Sequence, residues 1–297
     1  MSDRAGLSVG VGLLVTGGAG RLATALRAAA PAATCLSRAE LDVTDPTSIA
    51  HALDRFRPAA VINTAAMADV DRCEAEPNLA HAINAQGARD LAQACASRGV
   101  RLVHVSTDYV FGGAGGGPFG ESDPPAPTSA YGLGKALGEQ LVLAAHPGAC
   151  IARVAWLFGH GGDFLAVMLR RAIAEGRVEV FRQTGSPTPL AEAAQRLLRL
   201  AHGERAPPPI LHVAGAPAAS RAEWLSAALA GYRLERPDFA CEIVEIPPAA
   251  LRPACSALRT DLARGLFGKP LDWMGAAVAI GRRAASGGDP PPSGLTA

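Results

Sequence analysis

Short apolar runs alternate with longer amphipathic ones through residues 12–154, and few architectures accept that order. The strand candidates are Gly12–Thr16, Ala33–Leu36, Ala60–Asn63, Leu102–Ser106 and Cys150–Val154. Between them stand helix candidates at Arg21–Ala30, Asp45–Arg55, Asn78–Arg98 and Ala130–Ala145. Strand and helix in turn signal a parallel sheet covered on both faces, and its strands should read as unbroken apolar runs, as these do. Right-handed crossovers then give a doubly wound α/β sheet. The second half is less regular. Helices are expected at Asp163–Glu175, Leu190–Ala201 and Arg221–Ala230, strands at Arg177–Phe181 and Ile210–Ala214, and a proline-rich remainder.

The first strand runs into Val15-Thr-Gly-Gly-Ala-Gly-Arg-Leu-Ala23. Gly17 permits a tight turn, Gly20 lets backbone approach a pyrophosphate, and Ala23 is small enough for close helix–strand packing. The N–H groups at the helix start, around Arg21 and Leu22, then face phosphates. An acidic residue for the adenosine ribose is expected about 20 residues on. Here the second strand ends in Leu36-Ser37-Arg38. Ser37 and Arg38 suit a 2′-phosphate, which favours NADPH over NADH, although Glu40 is near enough to serve a ribose. Asp42 and Val43 are expected to line the adenine pocket, and Asn63, Ala65 and Ala66 to lie close to the cofactor.

Tyr131 and Lys135 are four apart at the start of a helix and share one face of it. An ammonium within ~4–6 Å stabilises a phenolate, and a phenol so tuned can pass a proton during hydride transfer. Ser106 or Thr107, at the carboxyl end of its strand, presents a hydroxyl where open parallel sheets bind ligands.

Together Gly17-x-x-Gly20-x-x-Ala23, Asn63-Thr-Ala-Ala66, Ser106-Thr-Asp-Tyr-Val-Phe111 and Tyr131-x-x-x-Lys135 resemble the extended short-chain dehydrogenase/reductases. Val70-Asp-Arg-Cys-Glu-Ala-Glu-Pro77, Gly117-Pro-Phe-x-Glu121, Trp156-Leu-Phe-Gly159, Gln183-Thr-Gly-Ser-Pro-Thr188 and Arg252-Pro-x-x-Ser256 narrow this to a resemblance to dTDP-4-dehydrorhamnose reductases, from about Leu13 to Trp273. The resemblance implies reduction of the C4 keto group of dTDP-4-dehydro-6-deoxy-L-mannose, with Thr107 as catalytic hydroxyl, Tyr131 as general acid, and Lys135 as its partner and the holder of the nicotinamide ribose. It places Met67, Asp108, Tyr109, Trp156, Gln183 and Arg252 on the substrate side, Arg252 equally well a structural ion-pair partner. The chain departs from the pattern at Ala23, at Met67-Ala-Asp69 and at Arg259. The other readings are a reductase of a different nucleotide sugar and a non-catalytic dinucleotide-binding subunit, similar to the β subunit of methionine adenosyltransferase. Against the subunit stands the complete Thr107, Tyr131 and Lys135 set.

The implied organisation is a cofactor unit from 1–158 plus about 190–215, a substrate lobe from about 159–189 plus 216–283, and a tail from 284–297 too poor in apolar residues to join a core. With 28 Lys+Arg against 27 Asp+Glu the net charge is +1, which argues against a nucleic-acid partner. The six cysteines form no C-x-x-C and the seven histidines show no ligand spacing, so reduced cytoplasmic thiols are expected and no metal is assigned. No run of about 18 apolar residues suggests a membrane span. Leu7–Val15 reads as a buried first strand rather than a signal-peptide core. A homodimer is left open.

Overall fold

A computed structural model describes residues 12–112, 116–203, 206–247 and 252–287. In chain order the first half carries β1 (Leu13–Thr16), α1 (Arg21–Ala29), β2 (Thr34–Cys35), α2 (Pro46–Phe56), β3 (Ala60–Asn63), α3 (Val70–Ala75), α4 (Pro77–His81), α5 (Ala88–Ala96), β4 (Arg101–Thr107), α6 (Ala130–Ala145) and β5 (Cys150–Val154). The second half carries β6 (Leu157–Phe158), α7 (Phe164–Glu175), β7 (Arg177–Phe181), β8 (Thr184–Gly185), β9 (Thr188–Pro189), α8 (Leu190–His202), β10 (Ile210–His212), β11 (Ala219–Ser220), α9 (Arg221–Arg233), β12 (Glu242–Ile246), α10 (Asp261–Phe267) and α11 (Trp273–Ala285).

Six strands form one parallel sheet in the order β10-β5-β4-β3-β1-β2. The doubly wound sheet expected from the alternation is present, with one apolar cluster on each face. One face packs Leu22, Leu26, Ala194 and Leu197 of α1 and α8. The other packs Ile49, Leu53, Leu91 and Val142 of α2, α5 and α6. Strand order reverses between β1 and β3, and ligands bind such sheets outside the carboxyl ends of the strands at that reversal. Thr16, Asn63 and Thr107 end their strands on that edge.

The run expected as one helix over Asn78–Arg98 is α4 and α5 joined by a π-helical turn at Ala82–Gly87. Its Asn84 clamps the Met67 backbone, accepting the Met67 N–H at 2.9 Å and donating to the Met67 carbonyl at 3.0 Å. Beyond residue 154 a separate apolar cluster gathers Phe158, Leu165, Leu169, Val178, Val180, Trp224, Leu225, Leu229, Trp273 and Ile280. Here the sequence reading is corrected. The proline-rich remainder holds β12, paired in parallel with β7, and also α10 and α11. Helix α11 runs through Ala285, two residues into the expected tail, and residues 288–297 of that tail lie outside the described residues.

Candidate active site

The glycine turn is forced by its neighbours. Gly17 has φ +66°, and a Cβ there would meet the Ala65 backbone at 3.0 Å. A Cβ on Gly18 would meet the backbone of Cys35 and Leu36 at 2.8 Å, which is why this position is glycine too. The Gly18 N–H donates to the Leu36 carbonyl at 2.6 Å, fixing the turn to the end of β2. Gly20 caps α1 with no side chain on the first-turn N–H groups, which leaves them free for an anion.

Two cavities meet at Ala66. A smaller one of about 180 Å³ is lined by Gly17, Arg38, Asp42, Val43, Ala65, Ala66 and Met67. A larger one of about 230 Å³ is lined by Gly20, Arg21, Leu22, Ala66, Ser106, Tyr131 and Lys135. The cleft therefore runs from Arg38 past the glycine turn to Tyr131. At its outer end Arg38 pairs with Asp42 at 3.2 Å, its side chain 66% exposed. Asp42 accepts from the Thr44 hydroxyl and N–H, and those bonds hold its carboxyl below the usual range. Ser37 donates its hydroxyl to Glu40 at 2.7 Å and lines neither cavity. Across the larger cavity Arg21 meets the His160 ring at 3.0 Å.

At the inner end Tyr131 and Lys135 stand one turn apart on α6, which Ser129 caps by accepting the Gly132 N–H. Lys135 is 1% exposed. Its Nζ lies 3.1 Å from His104 Nε2 and donates to the Val105 carbonyl at 2.7 Å. Burial draws its pKa down to about 8. Burial also raises the Tyr131 phenol, while a hydrogen bond with Thr107 lowers it. The phenol expected to be acidified by its neighbouring amine is thus shifted the other way here, because desolvation outweighs every other influence on it. Thr107 also donates to Asp108 at 3.1 Å and accepts the Tyr109 N–H. The Ser106 hydroxyl is committed elsewhere, to Glu139 at 2.5 Å, whose carboxylate takes both Nε and Nη2 of buried Arg153.

Several expected contacts are turned to internal work. The Asn63 amide is 1% exposed and bonded to Thr16 and His104, so the cofactor side is offered its neighbours' backbone rather than its side chain. Buried Gln183 donates to the Pro253 carbonyl at 3.0 Å. Asp108 accepts the Ser256 hydroxyl at 2.5 Å, and burial pushes its carboxyl up to about 6. Arg252 pairs with both carboxylate oxygens of Asp71 at 3.1 Å, the ion-pair alternative of the sequence reading. Met67 lines the Arg38 cavity and packs with Cys73, Ala80 and the Tyr131 ring. Tyr109 meets the Tyr131 ring edge-on at 5.8 Å. Trp156 lies so close to Gly185 that a Cβ there would fall 2.3 Å from the indole.

A model of the RmlD substrate binding domain matches residues 11–283. The chain belongs to the RmlD substrate-binding family. It is 46% identical over 200 residues to a dTDP-4-dehydrorhamnose reductase of Mycobacterium tuberculosis, an alignment covering 64% of this chain and 65% of that relative. The match thus spans just under two thirds of the relative's length. A dTDP-4-dehydrorhamnose reductase of Aggregatibacter actinomycetemcomitans is 34% identical over 280 residues, covering 88% of this chain and 95% of the relative. The solved structure of a dTDP-4-dehydrorhamnose reductase from Bacillus anthracis in complex with NADP superposes with a TM-score of 0.81 at 28% identity, covering 91% of this chain and 98% of that one.

Sequence reading missed one charged residue beside Trp156. Arg221 opens α9 with its guanidinium 3.8 Å over the Trp156 ring and 4.2 Å over Phe164, its Nε without a hydrogen-bond partner. The capping box Ser220-Arg-Ala-Glu223 marks a helix start, but nothing in one sequence says which aromatic rings that arginine meets. His104 was missed as well, hidden inside an apolar strand. Among the described residues no cluster of His, Cys, Asp and Glu could hold a metal, and no helix is long and apolar enough to cross a membrane.

Proposed function

We propose that the chain reduces the C4 keto group of a nucleotide-activated 6-deoxy-4-keto sugar with NADPH, the substrate being dTDP-4-dehydro-L-rhamnose and the product dTDP-L-rhamnose. One observation carries this reading: a single cleft joins the uncapped start of α1 to Tyr131 and Lys135. The residues present fit a dinucleotide. Glycines stand where a Cβ would strike backbone, free helix N–H groups lie beside them, and Arg38 stands exposed at the far end. The relatives' names and the NADP complex support the same reading.

When bound, the reduced nicotinamide supplies the hydride. The rest is the work of this chain. Gly20, Arg21 and Leu22 receive the pyrophosphate, while Asp42, Val43, Ala65 and Ala66 wall the adenosine end. Arg38 leaves Asp42 for the 2′-phosphate. Thr107 orients the carbonyl, and Tyr131 gives its proton to the C4 oxygen as charge develops there. Burial keeps that phenol in the protonated form which the step consumes. Lys135 holds the ribose. Arg221, with an unused N–H and aromatic rings beneath it, is the cation we assign to the anionic nucleotide half of the substrate. Asp108, Tyr109 and Trp156 border the sugar.

The two-unit organisation belongs to this proposal. In its favour, β10 joins the main sheet beside β5 and α8 packs with α1 on one sheet face, while Phe158, Trp224 and Trp273 share a different core. The deciding experiment supplies the purified protein with the 4-keto sugar nucleotide, generated enzymatically from dTDP-glucose, and follows loss of nicotinamide absorbance with NADPH and with NADH. Turnover with NADPH preferred is the expected result. No turnover with dTDP-, UDP- or GDP-linked 4-keto sugars, together with recovery of a stoichiometric enzyme partner, would instead favour the binding-subunit reading.

A further inference from the structure

A chain of buried polar groups crosses three strands behind Lys135. Thr16 of β1 donates its hydroxyl to Asn63 Oδ1 at 2.6 Å, and Asn63 Nδ2 faces His104 Nδ1 at 2.9 Å. His104 Nε2 then faces Lys135 Nζ at 3.1 Å. The direction of each bond follows from its donors. The Ala65 N–H points at Asn63 Oδ1 at 3.2 Å. Reversing the amide would set Nδ2 against that N–H and leave the Thr16 hydroxyl proton without Oδ1 as its acceptor. Asn63 therefore offers His104 an N–H, and His104 Nδ1 accepts it with a lone pair. The imidazole is fully buried and neutral, desolvation holding its pKa well below 6.5. A neutral ring with a bare Nδ1 carries its proton on Nε2. That proton points at Lys135, and an ammonium, with three donors and no acceptor, has nothing to receive it.

From this donor order we infer that His104 is a positioning residue that disfavours the ammonium form of Lys135 in the free protein and extends its neutral amine to lower pH than burial alone would. The amine lone pair accepts from Nε2–H, one N–H goes to the Val105 carbonyl, and one remains for the cleft that Lys135 lines. The groups around the amine are few. Glu139, one turn on, favours the charged form, but its carboxylate is already taken by Arg153 of β5 and Ser106 of β4. Tyr131 shares the helix face, and Arg21 of α1 and His160 beyond β6 line the same cavity. Burial acts in the same direction as His104. Only the catalytic meaning rests on the reductase reading: His104 would set how much of the Lys135 charge stands beside the phenol.

The test uses the free full-length chain and does not depend on turnover, so its failure is separable from failure of the reductase assignment. The protein has two lysines, Lys135 and Lys269, so lysine labelled with ¹³C at Cε and ¹⁵N at Nζ gives two signals, which Lys269→Arg assigns. In a pH titration Lys135 should lose its proton more than about 2 units below the ordinary lysine value of about 10.4. The ¹⁵N shifts of His104, assigned by their loss in His104→Gln, should show a bare Nδ1. Asn63→Asp presents an acceptor to Nδ1, reverses the imidazole, and should raise the Lys135 midpoint by at least about one unit, a tenfold change in proton affinity. The added carboxylate would raise it too, so His104→Gln, which adds no charge and can turn its amide oxygen to the ammonium, must also raise it. An ammonium at Lys135 persisting to the ordinary lysine value, a proton on Nδ1 in the unaltered protein, or an unmoved midpoint in His104→Gln overturns the inference.

Discussion

Burial keeps the Tyr131 phenol protonated, and a ketone reduction consumes a protonated acid. Removing only the hydroxyl therefore separates chemistry from packing. Tyr131→Phe keeps the ring that packs on Met67 and meets Tyr109 edge-on. Turnover should fall by roughly 10²–10⁴-fold, the usual contribution of a positioned proton donor, while the melting temperature holds. Unchanged turnover in Tyr131→Phe removes the phenol from the mechanism. Arg38 allows a second separation, because its ion-pair partner among the described residues is Asp42 and it stands at the far end of the cleft. A charge-assisted hydrogen bond to a phosphate contributes about 1.5–3 kcal/mol. Arg38→Ala should therefore raise the KM for NADPH on the order of 10–100-fold and leave that for NADH close to its original value. Equal effects on both cofactors would place the 2′-phosphate elsewhere.

The elements show how two kinds of sequence signal fared. The strands of the main sheet and α6, found at Ala130–Ala145 as expected, were legible because apolar runs and their spacing are local properties. Helix α11 was not. Its Gly275 and Gly281 count against a helix by intrinsic propensity, and only the tertiary structure explains one of them. A Cβ on Gly281 would lie 1.7 Å from the Ala228 carbonyl oxygen of α9, and one on Gly231 of α9 would lie 2.0 Å from the Val278 carbonyl oxygen of α11. The two helices approach through paired glycines, a long-range fact invisible to a local pattern. The same limit applies to side chains at the site: Gln183, Ser106 and Asn63 are polar residues at plausible positions, but their partners come from distant segments. Gly281→Ala should separate α9 from α11 and cost about 1–3 kcal/mol, the usual penalty for overpacking. Chemical denaturation measures this directly, and a neutral result would mean that the helix pair tolerates a wider crossing.

For the whole molecule, buried ionisable groups set how stability responds to acid. His212 is neutral when folded, burial pulling its pKa from 6.5 to about 4, and burial holds His104 well below 6.5 as well. Each contributes stability that is complete above pH 6.5 and is lost as pH falls through the folded value, because the unfolded chain takes up a proton that the folded one refuses. Asp108 works the other way. Burial raises it from 3.8 to about 6, so the folded chain binds a proton that the unfolded one releases. Its contribution is present below pH 3.8 and lost as pH rises through 6. Between pH 6.5 and 4 two histidines lose stability while one carboxyl regains it, so the protein should weaken on acidification, less steeply than the histidines alone would cause. Asp108→Asn isolates the carboxyl. The amide can still accept from Ser256 and donate to the Thr107 oxygen, so the bonds survive without the proton linkage. Denaturant midpoints measured across this range should then fall more steeply with acid in Asp108→Asn than in the parent, by an amount on the order of 3 kcal/mol over the whole window. Parallel profiles for the two proteins would mean that the Asp108 carboxyl is already ionised in the fold at pH 5, held by the hydroxyls of Ser256 and Thr107 against its burial.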